Sequence, residues 1–124
     1  MFKYFNPNYK ANHGVGDCSV RAVAKALNIS WDTAYALITA KGFELGNMPS
    51  GNEVWGAVLR DNGFHREIIP NVCPDCYSVQ DFAKDNPIGT YIVGTDGHVV
   101  TIVDGDWYDT WNSQDVVPLY FWTR

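Results

Sequence analysis

The chain has 124 residues, of which 46% are hydrophobic and 15% aromatic, and its formal net charge is −5 at pH 7. This length predicts one domain over residues 1–124, and the apolar content excludes a disordered chain. The acidic balance, without any cluster of Lys and Arg, argues against nucleic acid as a partner.

Residues 1–8 lack the apolar segment of a signal peptide, and no apolar run in the sequence reaches the length that crosses a membrane. The three cysteines, an odd number, favour a reducing compartment over a secreted disulfide framework. These features predict a cytoplasmic protein that does not bind a membrane.

Residues 1–16 predict an irregular arm, because Asn, Pro and Gly recur there. The apolar residues that follow recur at helical spacing and predict a helix over Cys18–Leu27, with Asp17 as its N-cap. A second helix is predicted from the cap residue Ser30 to Gly42.

Two further helices are predicted from capping-box spacings. Ser50 with Glu53 predicts a third helix through about Asp61, and Ser78 with Asp81 predicts a short fourth one.

The other elements are predicted as strands, since β-branched and aromatic residues dominate them and turn residues separate them. The predicted strands cover residues 64–69, 90–93, 98–103, 107–111 and 116–122. Helices come first and hairpin-linked strands follow, so the predicted fold is α+β, with N-terminal helices before an antiparallel β-sheet.

Cys18 stands where a loop becomes a helix. There, unpaired backbone N–H groups and the positive end of the helix dipole lower the thiol pKa from the roughly 8.5 of a free cysteine. A thiolate needs a proton-transfer partner for acyl chemistry. His98, at the head of the apolar run Val99–Val103, is the predicted partner.

The predicted hairpin after His98 places a carboxylate beside it. A two-residue turn at Asp104-Gly105 or at Gly105-Asp106 puts His98 and Asp109 on the same face of adjacent strands. Asp109 is therefore predicted to orient the imidazole. Asn112 would take this place only with an odd-length turn or a bulge.

Together these residues predict a nucleophile, a base and an orienting carboxylate. Cys18 would attack a carbonyl and form an acyl thioester, His98 would move the proton, and Asp109 would hold the imidazole. The oxyanion would lie between the Cys18 backbone N–H and the side chain of Asn12, six residues upstream. This chemistry needs no metal and no cofactor.

The order of these residues resembles the papain-like cysteine peptidases in a minimal form. Several segments also resemble small uncharacterised proteins of phages and their bacterial hosts, over roughly residues 6–122. These segments are Asp17–Ala22, Ser30–Asp32, Gly97–Val100, Val103–Gly105 and Tyr108–Ser113.

The resemblance implies a papain-like fold and a thiol hydrolase, either a cysteine peptidase or an amidase-like enzyme. It also implies a phage-encoded protein that acts on a host or viral protein or peptide in the host cytoplasm. In the papain-like family a Gln commonly stands six residues before the nucleophile, and here that position is Asn12, one methylene shorter.

Other interpretations stay open. The same scaffold without activity could bind and inhibit a host protein. Cys73 and Cys76 have the spacing of a redox pair, of a local disulfide or, with His65, of part of a zinc site. His13 is a further base only if the N-terminal arm folds over the site, and Arg21 is predicted as a surface or salt-bridge residue. Trp111 could shield the His98–Asp109 pair from water.

Overall fold

The computed structural model describes residues 1–11, 14–71, 76–95 and 97–124. The described residues form four helices: α1 (Cys18–Leu27), α2 (Trp31–Leu45), α3 (Asn52–Asp61) and α4 (Val79–Asp85). They also form six strands: β1 (Phe2–Tyr4), β2 (His65–Ile68), β3 (Thr90–Gly94), β4 (Val99–Val103), β5 (Asp106–Asp109) and β6 (Tyr120–Thr123). The predicted α+β class is confirmed.

The strands form one mixed sheet in the order β1-β5-β4-β3-β6-β2. Its neighbours are antiparallel except for β1 and β5, which run parallel with Phe2 opposite Trp107. The predicted irregular arm is therefore wrong for Phe2–Tyr4, whereas the other described residues before α1 are in neither helix nor strand. The strands predicted as an antiparallel sheet do pair antiparallel, and β1 adds one parallel strand at the edge. A strand of three residues is too short for a recognisable alternating pattern, so only its pairing with β5 reveals it.

Two hydrophobic cores lie on opposite faces of the sheet. Helices α1, α2 and α3 pack on one face, against residues such as Ile92 and Val99, whereas α4 packs on the other, against Val93 and Val100. Successive strand residues point to opposite faces, so Ile92 and Val93 belong to different cores. This burial on both sides explains why the sequence of β4 is almost continuously apolar.

Helix α1 begins and ends at the predicted residues and lies against β4. The hydroxyl of the buried Thr101 donates a hydrogen bond to the Ala22 carbonyl oxygen, at 2.8 Å. Asn28 ends the helix in the left-handed conformation, with φ 55°. The contact between α1 and β4 brings the start of the helix close to the start of the strand.

The β4–β5 hairpin has the first of the two predicted registers, with Thr101 opposite Tyr108. Asp104 and Gly105 form its two-residue turn, and both have positive φ, of 50° and 82°. These angles are typical of the tight turns whose twist matches that of two antiparallel strands.

Helix α2 continues past Gly42, where it was predicted to end, and stops at Gly46, which has φ 66°. Gly42 is needed inside the helix because the chain folds back over it. A Cβ atom on Gly42 would lie 2.8 Å from the carbonyl oxygen of Asn47. Glycine here indicates a close backbone approach rather than a helix terminus.

The two predicted capping boxes have different outcomes. In α4, Ser78 and Asp81 form the predicted reciprocal hydrogen bonds. In α3, Gly51 occupies the N-cap position without a side-chain hydrogen bond, so the predicted Ser50–Glu53 box is wrong. Within the described part of the chain, no helix has both the length and the apolar character needed to cross a membrane.

We expect Gly42→Ala to lower the free energy of unfolding by about 1–3 kcal/mol, since the added Cβ overlaps a backbone oxygen that cannot rotate away. Urea denaturation would measure it. The matched control is Ala40→Gly at an exposed site of the same helix, where glycine itself costs about 1 kcal/mol. A Gly42→Ala variant more stable than the wild type would contradict the steric explanation.

Candidate active site

The hairpin brings His98 and Asp109 together, as predicted. His98 directly precedes β4, Asp109 is the last residue of β5, and His98 Nε2 lies 2.6 Å from Asp109 Oδ2. The indole ring of Trp111 lies against the imidazole, with ring centroids 4.8 Å apart. In this position Trp111 covers one side of the His98–Asp109 pair.

Cys18 completes the predicted set of three. It is the first residue of α1, it is partly buried, and its thiol is free. The His98 side chain and the Val99 backbone lie close enough to the Cys18 thiol to lower its pKa. Because Nε2 of His98 faces Asp109, Nδ1 is the ring nitrogen left for Cys18. Cys18, His98 and Asp109 are therefore neighbours in this order.

The pKa values of the three groups are shifted in the directions that favour their charged forms. The hydrogen bond with His98 lowers the pKa of Cys18, against the opposing effect of burial. Burial lowers the pKa of His98, but the hydrogen bonds with Asp109 and Cys18 outweigh it and raise this pKa to about 9. Burial raises the pKa of Asp109, and the bond with His98 reverses that shift. These directions favour a thiolate–imidazolium pair.

Asp109 is 1% exposed and accepts four hydrogen bonds. Oδ2 accepts from His98 and, at 2.8 Å, from the Ser113 hydroxyl. Oδ1 accepts from the Thr110 backbone N–H at 2.8 Å and from Arg21 at 3.0 Å. Four bonds occupy the acceptor positions of a carboxylate, so Asp109 has one orientation in which to hold the imidazole.

Arg21 is the residue whose importance sequence reasoning missed. It is 6% exposed, and its guanidinium joins Asp17 to Asp109. The salt-bridge part of its prediction is confirmed, and the surface location is wrong. Two signals could have found it: the Asp17–Arg21 spacing of four residues, and the position of Arg21 within the apolar segment of α1.

Asp17 also differs from its prediction. It precedes α1 at the N-cap position, but its side chain caps no helix N–H. One carboxylate oxygen accepts from Arg21, and the other accepts from the indole N–H of Trp31 at 3.0 Å. The Arg21 guanidinium and the Trp31 indole bind this carboxylate in place of the helix N–H groups, because both offer well-directed donors in a buried environment.

Two of the predicted site residues, Asn12 and the alternative base His13, lie outside the described residues. Asn112, the alternative orienting residue, accepts a hydrogen bond from the Trp107 indole at 3.0 Å and so supports the end of β5.

Cys76 is disulfide-bonded, which is one of the alternatives that its spacing left open, and Cys73 lies outside the described residues. His65, considered for a zinc site, lies on the exposed strand β2. Among the described residues, no group of three or more His, Cys, Asp and Glu side chains could hold a metal ion.

A cleft of about 140 Å³ opens beside Cys18 and His98. Its walls are the start of α1 (16, 18 and 19), the turn between β3 and β4 (95 and 97–99) and the start of α3 (50, 52 and 55). The first N–H groups of a helix have no partner within the helix, so the start of α1 offers donors to a negative charge in this cleft.

No family model matches the chain, and comparisons with curated proteins and with solved structures find no match either.

We expect Arg21→Met to lower the free energy of unfolding by about 3–5 kcal/mol, because it leaves the buried Asp17 and Asp109 without their shared cation. Urea denaturation would measure the loss. The control is Lys10→Met, whose ion pair with Asp32 is exposed to solvent and therefore contributes little to stability. Equal effects of the two substitutions would contradict the central role of Arg21.

The raised pKa of His98 also predicts a pH dependence of stability. His98, with its pKa raised from 6.5 to about 9, contributes stability that is complete below pH 6.5 and lost as pH rises through 9. The lowered pKa of Cys18 acts oppositely: its contribution is complete above the ordinary thiol pKa of 9.0 and is lost as pH falls through the lowered value. The two effects partly cancel in the wild type.

Cys18→Ala removes this cancellation. Asp109 still raises the pKa of His98 in this variant, so we expect its free energy of unfolding to fall as pH rises above 6.5, with a slope of at most about 1.4 kcal/mol per pH unit. Urea denaturation at several pH values would test this. The double variant Cys18→Ala/His98→Gln is the control and should lack the decline. A decline of the same size in both variants would assign it to another group.

Proposed function

We propose that the protein is a thiol hydrolase on a minimal papain-like scaffold, a cysteine peptidase or an amidase-like enzyme. The observation that carries the proposal is the position of Cys18 beside His98, whose Nε2 lies 2.6 Å from Oδ2 of the buried Asp109. Its nucleophile stands at a helix N-terminus and borders an open cleft. Each element supplies one role: α1 the nucleophile, the start of β4 the base and the end of β5 the orienting carboxylate.

In the proposed reaction, the Cys18 thiolate attacks the carbonyl carbon of an amide, and the carbonyl oxygen becomes an oxyanion. The Cys18 backbone N–H stabilises this oxyanion, and we propose the side chain of Asn12 as the second donor. The tetrahedral intermediate then collapses, the C–N bond breaks, and the departing amine takes the proton of His98. An acyl thioester on Cys18 remains.

A water molecule completes the cycle. His98, now neutral, takes a proton from the water as its oxygen attacks the thioester carbonyl. The C–S bond breaks, the carboxylic acid leaves, and the proton on His98 is again shared with Cys18. Asp109 stays ionised throughout, because its role is to stabilise the imidazolium and to hold the ring.

We further propose a protein or peptide substrate, as expected for a phage-encoded hydrolase that acts on a host or viral protein in the host cytoplasm. The support for this part is the resemblance carried by segments such as Asp17–Ala22 and Tyr108–Ser113.

A catalytically inactive binding protein is the second candidate, and one observation favours it. Apolar side chains are exposed around the end of α2, namely Phe43 (91%), Leu45 (51%) and Met48 (69%). Exposed apolar side chains of this kind suit a protein partner. The reactivity of Cys18 discriminates between the two candidates.

We expect Cys18 to be alkylated by iodoacetamide with a pKa well below that of a free thiol, because His98 stabilises the thiolate. In His98→Ala this pKa should rise towards roughly 8.5. Asp109→Asn should raise it as well, since it weakens the charge on His98. Peptide mass spectrometry at a series of pH values would measure the rates at Cys18.

Asn112→Ala is the matched control, since Asn112 is a polar neighbour of the hairpin that supports Trp107 rather than His98. Its Cys18 pKa should equal that of the wild type. A wild-type Cys18 that is inert, or that titrates like a free thiol with and without His98, would overturn the proposed activity and favour the binding protein.

A further inference from the structure

A second and larger cavity adjoins the cleft on the α1 side. Its volume is about 350 Å³, which falls in the range of sites that bind small molecules or large side chains. It shares the lining residues Gly16, Ser19 and Ser50 with the cleft beside Cys18, so the two spaces adjoin. Residues 95 and 97–99, on the His98 side, line the cleft but not the larger cavity.

The walls of this cavity are largely apolar and aromatic. Val20 and Ile38 form buried parts of the lining, and Pro49 borders it on the loop before α3. The rings of Trp31 and Tyr35 also line it and stack on each other, with centroids 5.0 Å apart and planes inclined by 24°. Such a surface favours an apolar occupant, because binding removes the apolar surfaces of both the occupant and the cavity wall from water.

The aromatic wall is held in place by Asp17, which also binds Arg21 of the candidate active site. The indole N–H of Trp31 donates to Asp17, whose other carboxylate oxygen binds Arg21. A side chain fixed by packing and by a hydrogen bond loses little freedom when a ligand binds, so this wall is prepared for an occupant.

The position of the cavity relative to His98 indicates which part of a substrate enters it. His98 must protonate the departing amine, so the leaving group lies on the His98 side of Cys18. The acyl part of the substrate then extends towards α1, where the cavity opens. Within the acyl part of the substrate, the residue that supplies the scissile carbonyl lies nearest to the cavity.

We propose that this cavity is a specificity pocket that binds a bulky apolar side chain, aromatic or branched aliphatic, of the residue that supplies the scissile carbonyl. The proposal rests on the proposed thiol hydrolase activity and adds a substrate preference to it. Phenylalanine and leucine side chains have the required chemistry, whereas glycine leaves the pocket empty.

Two reagents test the pocket through Cys18 itself: the chloromethyl ketones of N-acetylphenylalanine and of N-acetylglycine. In both, the Cys18 sulfur displaces chloride, so a C–S bond forms as the C–Cl bond breaks. Iodoacetamide, which carries no side chain, reports the intrinsic reactivity of the thiolate. We expect the phenylalanine reagent to react about 10-fold faster than the glycine reagent, a ratio that an apolar pocket can supply.

Thr39→Trp should fill the pocket, since Thr39 lines it from an exposed position of α2. The ratio of the two rates should fall towards one. Tyr35→Ala removes part of the wall and should lower the ratio too. Leu37→Trp is the matched control, because Leu37 is exposed on the same helix outside the lining, and it should keep the wild-type ratio.

A binding measurement that needs no reaction at Cys18 separates the pocket from the proposed activity. Added N-acetylphenylalaninamide should shift the NMR resonance of the Trp31 indole N–H, assigned with Trp31→Phe, and N-acetylglycinamide should not. An inert Cys18 with a shifted Trp31 resonance would overturn the activity and leave an apolar binding pocket. A reactive Cys18 with a rate ratio near one, or with the same ratio in Thr39→Trp, would overturn the pocket.

Discussion

The buried guanidinium of Arg21 is the interaction on which the candidate site depends. Arg21 and Cys18 lie three residues apart on α1, so they are neighbours on its surface. The guanidinium reaches from α1 to Asp109 at the end of β5, the same carboxylate that binds His98. A buried charge must be paired, and this requirement fixes the distance between helix and hairpin. Cys18 and His98 are thus positioned by one ion network.

The charges of this network also account for the protonation of His98. Asp17 and Asp109 supply two negative charges, and Arg21 supplies one positive charge. One negative charge remains uncompensated in a region from which water is excluded, and an imidazolium at His98 neutralises it. The proton that His98 needs can come from Cys18, whose thiolate then lies at the positive end of α1. Burial alone would lower the pKa of His98, and the interactions with Asp109 and Cys18 outweigh this effect.

Local sequence signals predicted the elements that carry Cys18, His98 and Asp109. Helix α1 followed from its apolar periodicity, and the hairpin register followed from the turn residues after Val103. The features that were missed depend on contacts between distant parts of the chain. The parallel pairing of β1 needs β5, and the burial of Arg21 needs Asp109, 88 residues away. Periodicity within a short window contains no information about such contacts.

The unexpected geometry of Asp17 has a chemical consequence for the start of α1. A conventional N-cap carboxylate would accept hydrogen bonds from the first N–H groups of the helix and place a negative charge beside them. Asp17 instead turns to Arg21 and Trp31, so its charge is neutralised away from the helix end. The donors of the first turn stay available to a thiolate at Cys18 and to an oxyanion in the cleft. The same carboxylate thereby joins the aromatic wall of the larger cavity to the ion network behind His98.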